Sequence, residues 1–246
     1  MYQIIAARKQ LVEPAQTLSC AVPCWQFHVL HFYLTWIRLV LLLVQQCTVW
    51  GEKKGRGALL SGDQLTGLSR SLGSIAILLY LAQKFKTPDH WYPSDLQKRA
   101  RVDEYLSWQH ANIRAKGSKV LLPILTGQPL SAEKLEFLIE DLNVVLKQFE
   151  EKFLQDKPFI AGSEVSLADL VALVELMQPV GAGYNLFEER PKLAEWRRRV
   201  EEAVGKELFQ EAHEGIMNIK NLTADQFAPE LLESFKQQLL KQVSQN

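Results

Sequence analysis

The chain has 246 residues, of which 47% are hydrophobic and 23% are charged. This composition is ordinary for a soluble globular protein and leaves room for one large or two small domains. The 28 basic and 28 acidic residues cancel to a net charge of zero, so we predict no nucleic-acid partner and no global attraction to an anionic membrane. The three cysteines, at positions 20, 24 and 47, form neither a paired framework nor a metal-binding spacing, and they favour a reducing compartment.

Residues 1–72 differ in composition from the rest of the chain, because residues 27–44 form an almost continuously apolar run of 18 residues. That length suits a short membrane span. Arg38 near its middle costs about 2.5 to 3.5 kcal/mol on insertion scales, so we predict that the run does not span a bilayer. No small-residue cleavage site follows it, which argues against a secretory signal. The glycine-rich residues 51–70 are predicted to be a flexible connection.

Helical patterns begin at Ser74, whose residue type suits the N-cap of a helix extending to Phe85. From Asp95 the apolar spacing predicts a helix to about Arg114, and residues 115–119 (AKGSK) predict its end. A five-turn amphipathic helix follows, because apolar residues recur with a period of 3.6. Its apolar residues are Leu135, Leu138, Ile139, Leu142, Val145, Leu146, Phe149 and Phe153.

The clearest helix start in the chain lies at Ser166. Ser166 and Asp169 have the spacing of a capping box, in which the hydroxyl accepts from the Asp169 amide and the carboxylate accepts from the Ser166 amide. Val165 and Leu170 occupy the positions of a hydrophobic staple. The following residues to Met177 are apolar on almost every side, which predicts a helix inside a bundle.

Further helices are predicted toward the C terminus, and the fold class is therefore mainly α. Pro191 is expected as the first residue of one helix. Its inward residues are Leu193, Trp196 and Val200, and those of the next helix are Leu208, Phe209, Ala212 and Ile216. Residues 229–243 also place apolar side chains at helical spacing.

Several of these stretches resemble the theta class of the cytosolic glutathione transferases. The run from Phe159 to Met177 resembles the central core helix of that family's C-terminal domain. Four more stretches are similar to the family, in the same order: residues 89–96 (DHWYPSDL), 101–110 (RVDEYLSWQH), 175–180 (ELMQPV) and 190–197 (RPKLAEWR). The resemblance extends from about Ser74 to Ile219.

The resemblance implies a glutathione-transferase-type helical bundle with an incomplete or replaced thioredoxin-like N-terminal region. Residues 1–72 would be a non-matching region. Residues 73–92 would be a remnant of the thioredoxin-like domain, comprising its last helix and the linker. Residues 93–246 would form the all-helical C-terminal domain.

The resemblance also implies roles for two residues. Ser74 matches the serine that holds the γ-glutamyl end of glutathione, although Gly73 replaces its acidic partner and a plain helix N-cap is the alternative. Arg114 matches an arginine at the mouth of the electrophile pocket, and the alternative is a solvated charge. No catalytic residue is identified, because residues 1–72 lack the family's S-Q-P-S-R type motif and its K-x-P cis-proline segment.

The activity implied by the resemblance is conjugation of glutathione to small electrophiles by a cytoplasmic homodimer. Glutathione is then a co-substrate, and no cofactor or metal is expected, since His90, His110 and His213 do not have metal-ligand spacing. The missing N-terminal motifs predict weak or absent turnover in this chain. The alternative is a non-catalytic helical interaction domain, with possible membrane association through residues 27–44.

Overall fold

The computed structural model describes residues 74–126 and 130–218, except for the side chains of Ser74 and of residues 122–126, and all regular structure in these ranges is helical. The helices are α1 (Ser74–Lys84), α2 (Leu96–Gln109), α3 (Ala115–Thr126), α4 (Ala132–Gln148), α5 (Leu167–Gly181), α6 (Pro191–Val204) and α7 (Lys206–Met217). A first π segment (His110–Arg114) joins α2 to α3, and a second (Phe149–Leu154) ends α4. The mainly α fold class is confirmed for the described residues. Predictions for residues 1–72, including 27–44, and for 229–243 lie outside them.

Helix α5 is the centre of the fold. Every residue of this helix except Val180 is buried, which confirms the prediction from its apolar sequence. Helices α2, α3, α6 and α7 and the first π segment all contact it, and α4 packs on α3. No helix within the described ranges combines the length and hydropathy of a membrane-spanning segment.

The Asp169 carboxylate ties the start of α5 to two other parts of the chain. The reciprocal capping box with Ser166 is present: the Ser166 amide donates to Asp169 Oδ2 at 2.9 Å. The Ser166 hydroxyl donates to the same oxygen at 2.9 Å, and the Asp169 amide also donates to the Ser166 carbonyl at 3.1 Å. Asp169 Oδ1 accepts from the Ile160 amide and from Trp196 Nε1, each at 2.9 Å. One buried carboxylate therefore connects the preceding loop, α5 and α6.

The connection between α1 and α2 docks on the same end of α5. The Leu167 amide donates to the Trp91 carbonyl at 2.9 Å, and His90 Nδ1 lies 2.7 Å from the Val165 carbonyl. Asp95 then caps α2 by accepting from the Lys98 amide at 2.9 Å. These contacts fix where α2 begins relative to α5.

The predicted helix end at residues 115–119 is wrong, because the chain continues from the first π segment directly into α3. Gly117 and Val120 are buried, and α3 packs against α5. The Ser118 hydroxyl donates to the Arg114 carbonyl at 2.8 Å, and Lys116 pairs with Asp141 on α4. This packing outweighs the low helix propensity of glycine, which costs about 1 kcal/mol relative to alanine.

The inward faces predicted for α4, α6 and α7 are confirmed except at Leu135, Ile139 and Leu208, which are only half-buried. In α4 and the segment after it, the buried residues are Leu138, Leu142, Val145, Leu146, Phe149 and Phe153. In α6 and α7 they include Leu193, Trp196, Val200, Phe209, Ala212 and Ile216. Pro191 is the first residue of α6, as predicted. The spacing of apolar residues was therefore a sufficient guide to these faces.

Candidate functional site

The candidate site lies where α2, the first π segment and α3 run along α5. A π turn places residues five apart on one face, so Arg114 follows Gln109 on the same side of the chain. Tyr105, four residues before Gln109, and Gly117, three residues after Arg114, continue that face. A methyl group on Gly117 would lie 3.5 Å from the Pro179 side chain and 3.7 Å from the Glu175 carbonyl oxygen, so this face meets α5 between Glu175 and Pro179.

Four polar side chains are buried at this junction: Tyr105, Gln109, Glu175 and Gln178. Gln178 Nε2 donates to Glu175 Oε2 at 3.0 Å, and Gln109 Nε2 donates to the Leu106 carbonyl at 3.4 Å. Three further atoms of these side chains, Tyr105 Oη, Gln109 Oε1 and Glu175 Oε1, are buried and have no hydrogen-bond partner among the described residues. Since buried polar atoms are nearly always hydrogen-bonded, these three atoms are exceptions, and each could still form a hydrogen bond.

The electrostatics of the junction link it to Arg114. Burial raises the pKa of Glu175 to about 8, and the positive charge of Arg114 is the strongest influence opposing that rise. Burial also raises the pKa of Tyr105 well above its usual value, and the Glu175 charge adds to this effect. Arg114 itself is half-buried at the end of the π segment. Titratable groups perturbed in this way concentrate at functional sites.

The raised pKa of Glu175 predicts that stability falls as pH rises from 6.5 to 8. The folded state binds a proton on Glu175 that the unfolded state, with a pKa near 4.5, has released. The slope is at most about 1.4 kcal/mol per pH unit. Burial lowers the pKa of His213 to about 4, and this makes stability rise with pH between 4 and 6.5. Measurements between pH 6.5 and 8 therefore report the effect of Glu175 without that of His213.

Urea denaturation at pH 6.5, 7.2 and 8 measures this effect. We expect Glu175→Gln to flatten the profile, whereas Glu164→Gln, at an exposed position before α5, keeps the wild-type slope. An equal slope in wild type and Glu175→Gln would contradict the protonated, buried state of this carboxyl.

The residues predicted as site residues are found in different places. Arg114 ends the first π segment, and its positive charge opposes the rise in the pKa of the buried Glu175 carboxyl. Ser74 is the first residue of α1, and its predicted contact with glutathione and the N-cap alternative both stay predictions. Ser166 and Asp169 lie at the start of α5, nine and six residues before Glu175, or about 14 and 9 Å along the helix axis, and they stabilise that end of the helix.

Sequence reasoning did not identify Glu175 as a site residue. The signal was the presence of Glu175, one of two acids with Asp169, in a helix that is otherwise largely apolar and predicted to be buried. Tyr105 and Gln109 carried no comparable signal: Tyr105 belongs to the apolar spacing of α2, and Gln109 follows it by one turn on the same buried face.

Comparison with known proteins places these helices in a family. Residues 115–203 match the family model for the glutathione S-transferase C-terminal domain. The chain is 65% identical over 171 residues to glutathione S-transferase theta-1 of Gallus gallus, an alignment covering 68% of this chain and 66% of the relative. The chain spans about two thirds of the length of the curated relatives it matches.

Solved structures agree with the sequence comparison. The human glutathione S-transferase T1-1 apo form superposes with a TM-score of 0.64 at 51% identity, over 69% of this chain and 72% of that one. A human theta-class glutathione transferase in complex with the glutathione conjugate of 1-menaphthyl sulfate superposes with a TM-score of 0.63 at 47% identity. The alignment covers 69% of this chain and 72% of that one. This chain belongs to the theta class of the glutathione S-transferases.

Proposed function

We propose that this chain is a theta-type glutathione S-transferase that acts on small electrophiles, with the electrophile side of its site formed by the described helices. The observation that carries this proposal is the position of Arg114, half-buried at the end of the first π segment, which contacts α5. The human relative bound to a glutathione conjugate supports the same ligand chemistry for this chain. Glutathione is the co-substrate in this proposal.

Thiol transfer by this chain is expected to be slow. A thiol with a pKa near 8.5 is only a few per cent thiolate at neutral pH, so a transferase needs a hydrogen-bond donor that lowers this pKa. Residues 1–72 contain no serine motif of the family's type to supply it. Of the residues that grip glutathione in the family, only Ser74 has a counterpart. Several missing contacts, at about 0.5 to 1.5 kcal/mol each, lower the affinity by orders of magnitude.

Calorimetric binding of glutathione and of S-hexylglutathione tests the proposal, because the hexyl chain stands in for the electrophile. We expect S-hexylglutathione to bind at least about tenfold more tightly, since each buried CH₂ contributes about 0.8 kcal/mol. Arg114→Ala should weaken this binding, while Arg101→Ala, at an exposed position on α2, should leave it unchanged. Equal affinity for the two ligands, or no effect of Arg114→Ala, would contradict the assignment of the electrophile side to these helices.

We also propose that the protein is a homodimer in the cytoplasm. Phe137 and Val144, which are 59% and 58% exposed, lie two turns apart on the outer face of α4 and give an apolar surface for a second copy. The same face is what favours the second candidate function, a non-catalytic interaction domain. The sedimentation mass of the full chain tests the dimer.

A further inference from the structure

The outer face of α4 forms one exposed stripe along the helix. Successive residues of an α-helix are rotated by about 100°, so six exposed residues of α4 lie within about 100° of one another. We call them the α4 stripe: Glu133, Glu136, Phe137, Glu140, Val144 and Lys147. By the same rotation, Phe137 and Val144 lie toward one edge of the stripe, and Glu136 and Lys147 lie toward the other. The stripe therefore has an apolar edge and a charged edge.

The two ends of the α4 stripe differ in charge. Three glutamates make its N-terminal part acidic, and Lys147 is its last residue toward the C terminus. The Lys147 ammonium lies 3.8 Å from the Glu151 carboxylate, but the two side chains are 73% and 65% exposed. Such an exposed pair contributes little, so Lys147 stays accessible to another acid.

A cleft borders the stripe beside Lys147. Its volume is about 490 Å³, and it is lined by Asn143, Val144, Lys147, Glu150, Glu189 and Arg190. The Arg190 guanidinium is held there, because it donates to Asn143 Oδ1 at 3.2 Å. The two cations and two carboxylates of the cleft balance, whereas the other end of the stripe is acidic. A carboxylate from outside is therefore repelled less at the cleft than at the acidic end.

A second copy of α4 complements this stripe when the two helices run antiparallel. A two-fold axis perpendicular to both helices keeps like edges on the same side, so Phe137 of each copy meets Val144 of the other on the apolar edge. On the charged edge, Glu136 of each copy meets Lys147 of the other. Lys134 lies outside the apolar edge, where its ammonium is 5.7 Å from the centre of the Phe137 ring. A parallel pair would instead set the glutamates of one copy against those of the other, which is unfavourable.

We propose that a second copy of this chain docks antiparallel on the α4 stripe, with Phe137 of each copy over Val144 of the other and Glu136 of each copy beside Lys147 and Arg190 of the other. This inference rests on the homodimer of the proposed function and specifies its interface. Helix α4 has 17 residues and is about 26 Å long, so one helix pair gives a small interface. We expect a dissociation constant in the micromolar range.

Exchange of the two charges tests the antiparallel pairing, with sedimentation equilibrium of the full chain as the readout. Lys147→Glu and Glu136→Lys should each raise the dimer dissociation constant at least about tenfold, because each substitution acts twice in a two-fold interface. The double variant restores opposite charges, and its dissociation constant should return to within about threefold of wild type. Lys206→Glu, the same change at an exposed position on α7, should have no effect. A double variant as weak as the single variants would overturn the antiparallel pairing.

Disulfide formation tests the register of the apolar edge. Phe137→Cys and Val144→Cys are made separately in a chain whose three natural cysteines are replaced by serine, and the two proteins are mixed and oxidised. We expect a disulfide between positions 137 and 144, because facing residues of the helix pair come within the about 4.4 to 6.8 Å that a disulfide spans between Cα atoms. Disulfides that join only like positions, or none at all, would overturn the proposed register.

The wild-type mass separates this interface from the homodimer itself. A monomer at a concentration of about 1 mM, well above the expected dissociation constant, would overturn both. A wild-type dimer whose dissociation constant is unchanged in Lys147→Glu and Glu136→Lys would overturn the α4 interface alone. Binding of S-hexylglutathione tests the transferase assignment independently of either result.

Discussion

Asp169→Ala is expected to lower the free energy of unfolding of the helical domain by about 3 to 5 kcal/mol, as for other buried charged groups whose partners lose their contacts. The substitution removes the acceptor of four buried donors: the Ile160 amide, the Ser166 amide, the Ser166 hydroxyl and Trp196 Nε1. Burial raises the pKa of Asp169, so removal of the carboxylate also relieves a desolvation cost, which offsets part of the loss. Urea unfolding followed by far-UV circular dichroism measures the change.

Two substitutions with smaller expected losses of stability serve as comparisons for Asp169→Ala. Ser166→Ala removes one hydroxyl and keeps the contacts to Ile160 and Trp196, so we expect a loss of about 0.5 to 2 kcal/mol. Ser131→Ala removes the exposed cap of α4, in which the hydroxyl accepts from the Lys134 amide at 3.2 Å, and should lie at the lower end of that range. Unchanged unfolding midpoints for both Asp169→Ala and Ser166→Ala would show that the capping box is not formed.

Gly181→Ala is expected to lower the free energy of unfolding by about 2 to 3 kcal/mol through overpacking. A methyl group at this position would lie 2.3 Å from the Ile216 carbonyl oxygen and 3.0 Å from its carbonyl carbon. The obstacle is backbone of α7, which cannot rotate away like a flexible side chain. The end of α5 and α7 must therefore separate, and amide hydrogen exchange should accelerate most in α7.

Gly162→Ala is the matched control for Gly181→Ala. A methyl group on Gly162 meets no atom within 4 Å, so there is no clash. We expect no loss of stability and no change in the amide hydrogen exchange of α7. The only expected effect of alanine here is to reduce the conformational entropy of the unfolded chain. Equal destabilisation by the two substitutions would contradict the close approach of α5 and α7.

Most of the fold followed from apolar spacing, because helices that bury one face must place apolar residues every three to four positions. The inward faces of α4, α6 and α7 and the enclosed position of α5 were predicted in this way and are confirmed. The prediction at residues 115–119 was wrong. Local propensity around Gly117 favours a helix end, and the contact with α5 that overrides it is a long-range interaction.

Less of the candidate site was predictable. Arg114 was identified through the family resemblance, but its neighbours were not, because a π turn leaves no clear signal in the sequence and changes which residues share a face. The links from Asp169 to Ile160 and Trp196 are also long-range, and the capping-box spacing indicates only the Ser166 contact. Glu175 carried a signal that was not used, because it and Asp169 are the two acids of an otherwise largely apolar helix.

The most direct test of the account is the rate at which the full chain conjugates glutathione to an activated alkyl halide, compared with Ser74→Ala. The described helices are proposed to form the electrophile side of the site, whereas residues 1–72 lack the family's motifs that activate and grip glutathione. We therefore expect a rate close to that of the uncatalysed reaction and no change on Ser74→Ala. Turnover well above the uncatalysed rate that falls on Ser74→Ala would contradict it and would mean that residues 1–72 supply a functional glutathione site.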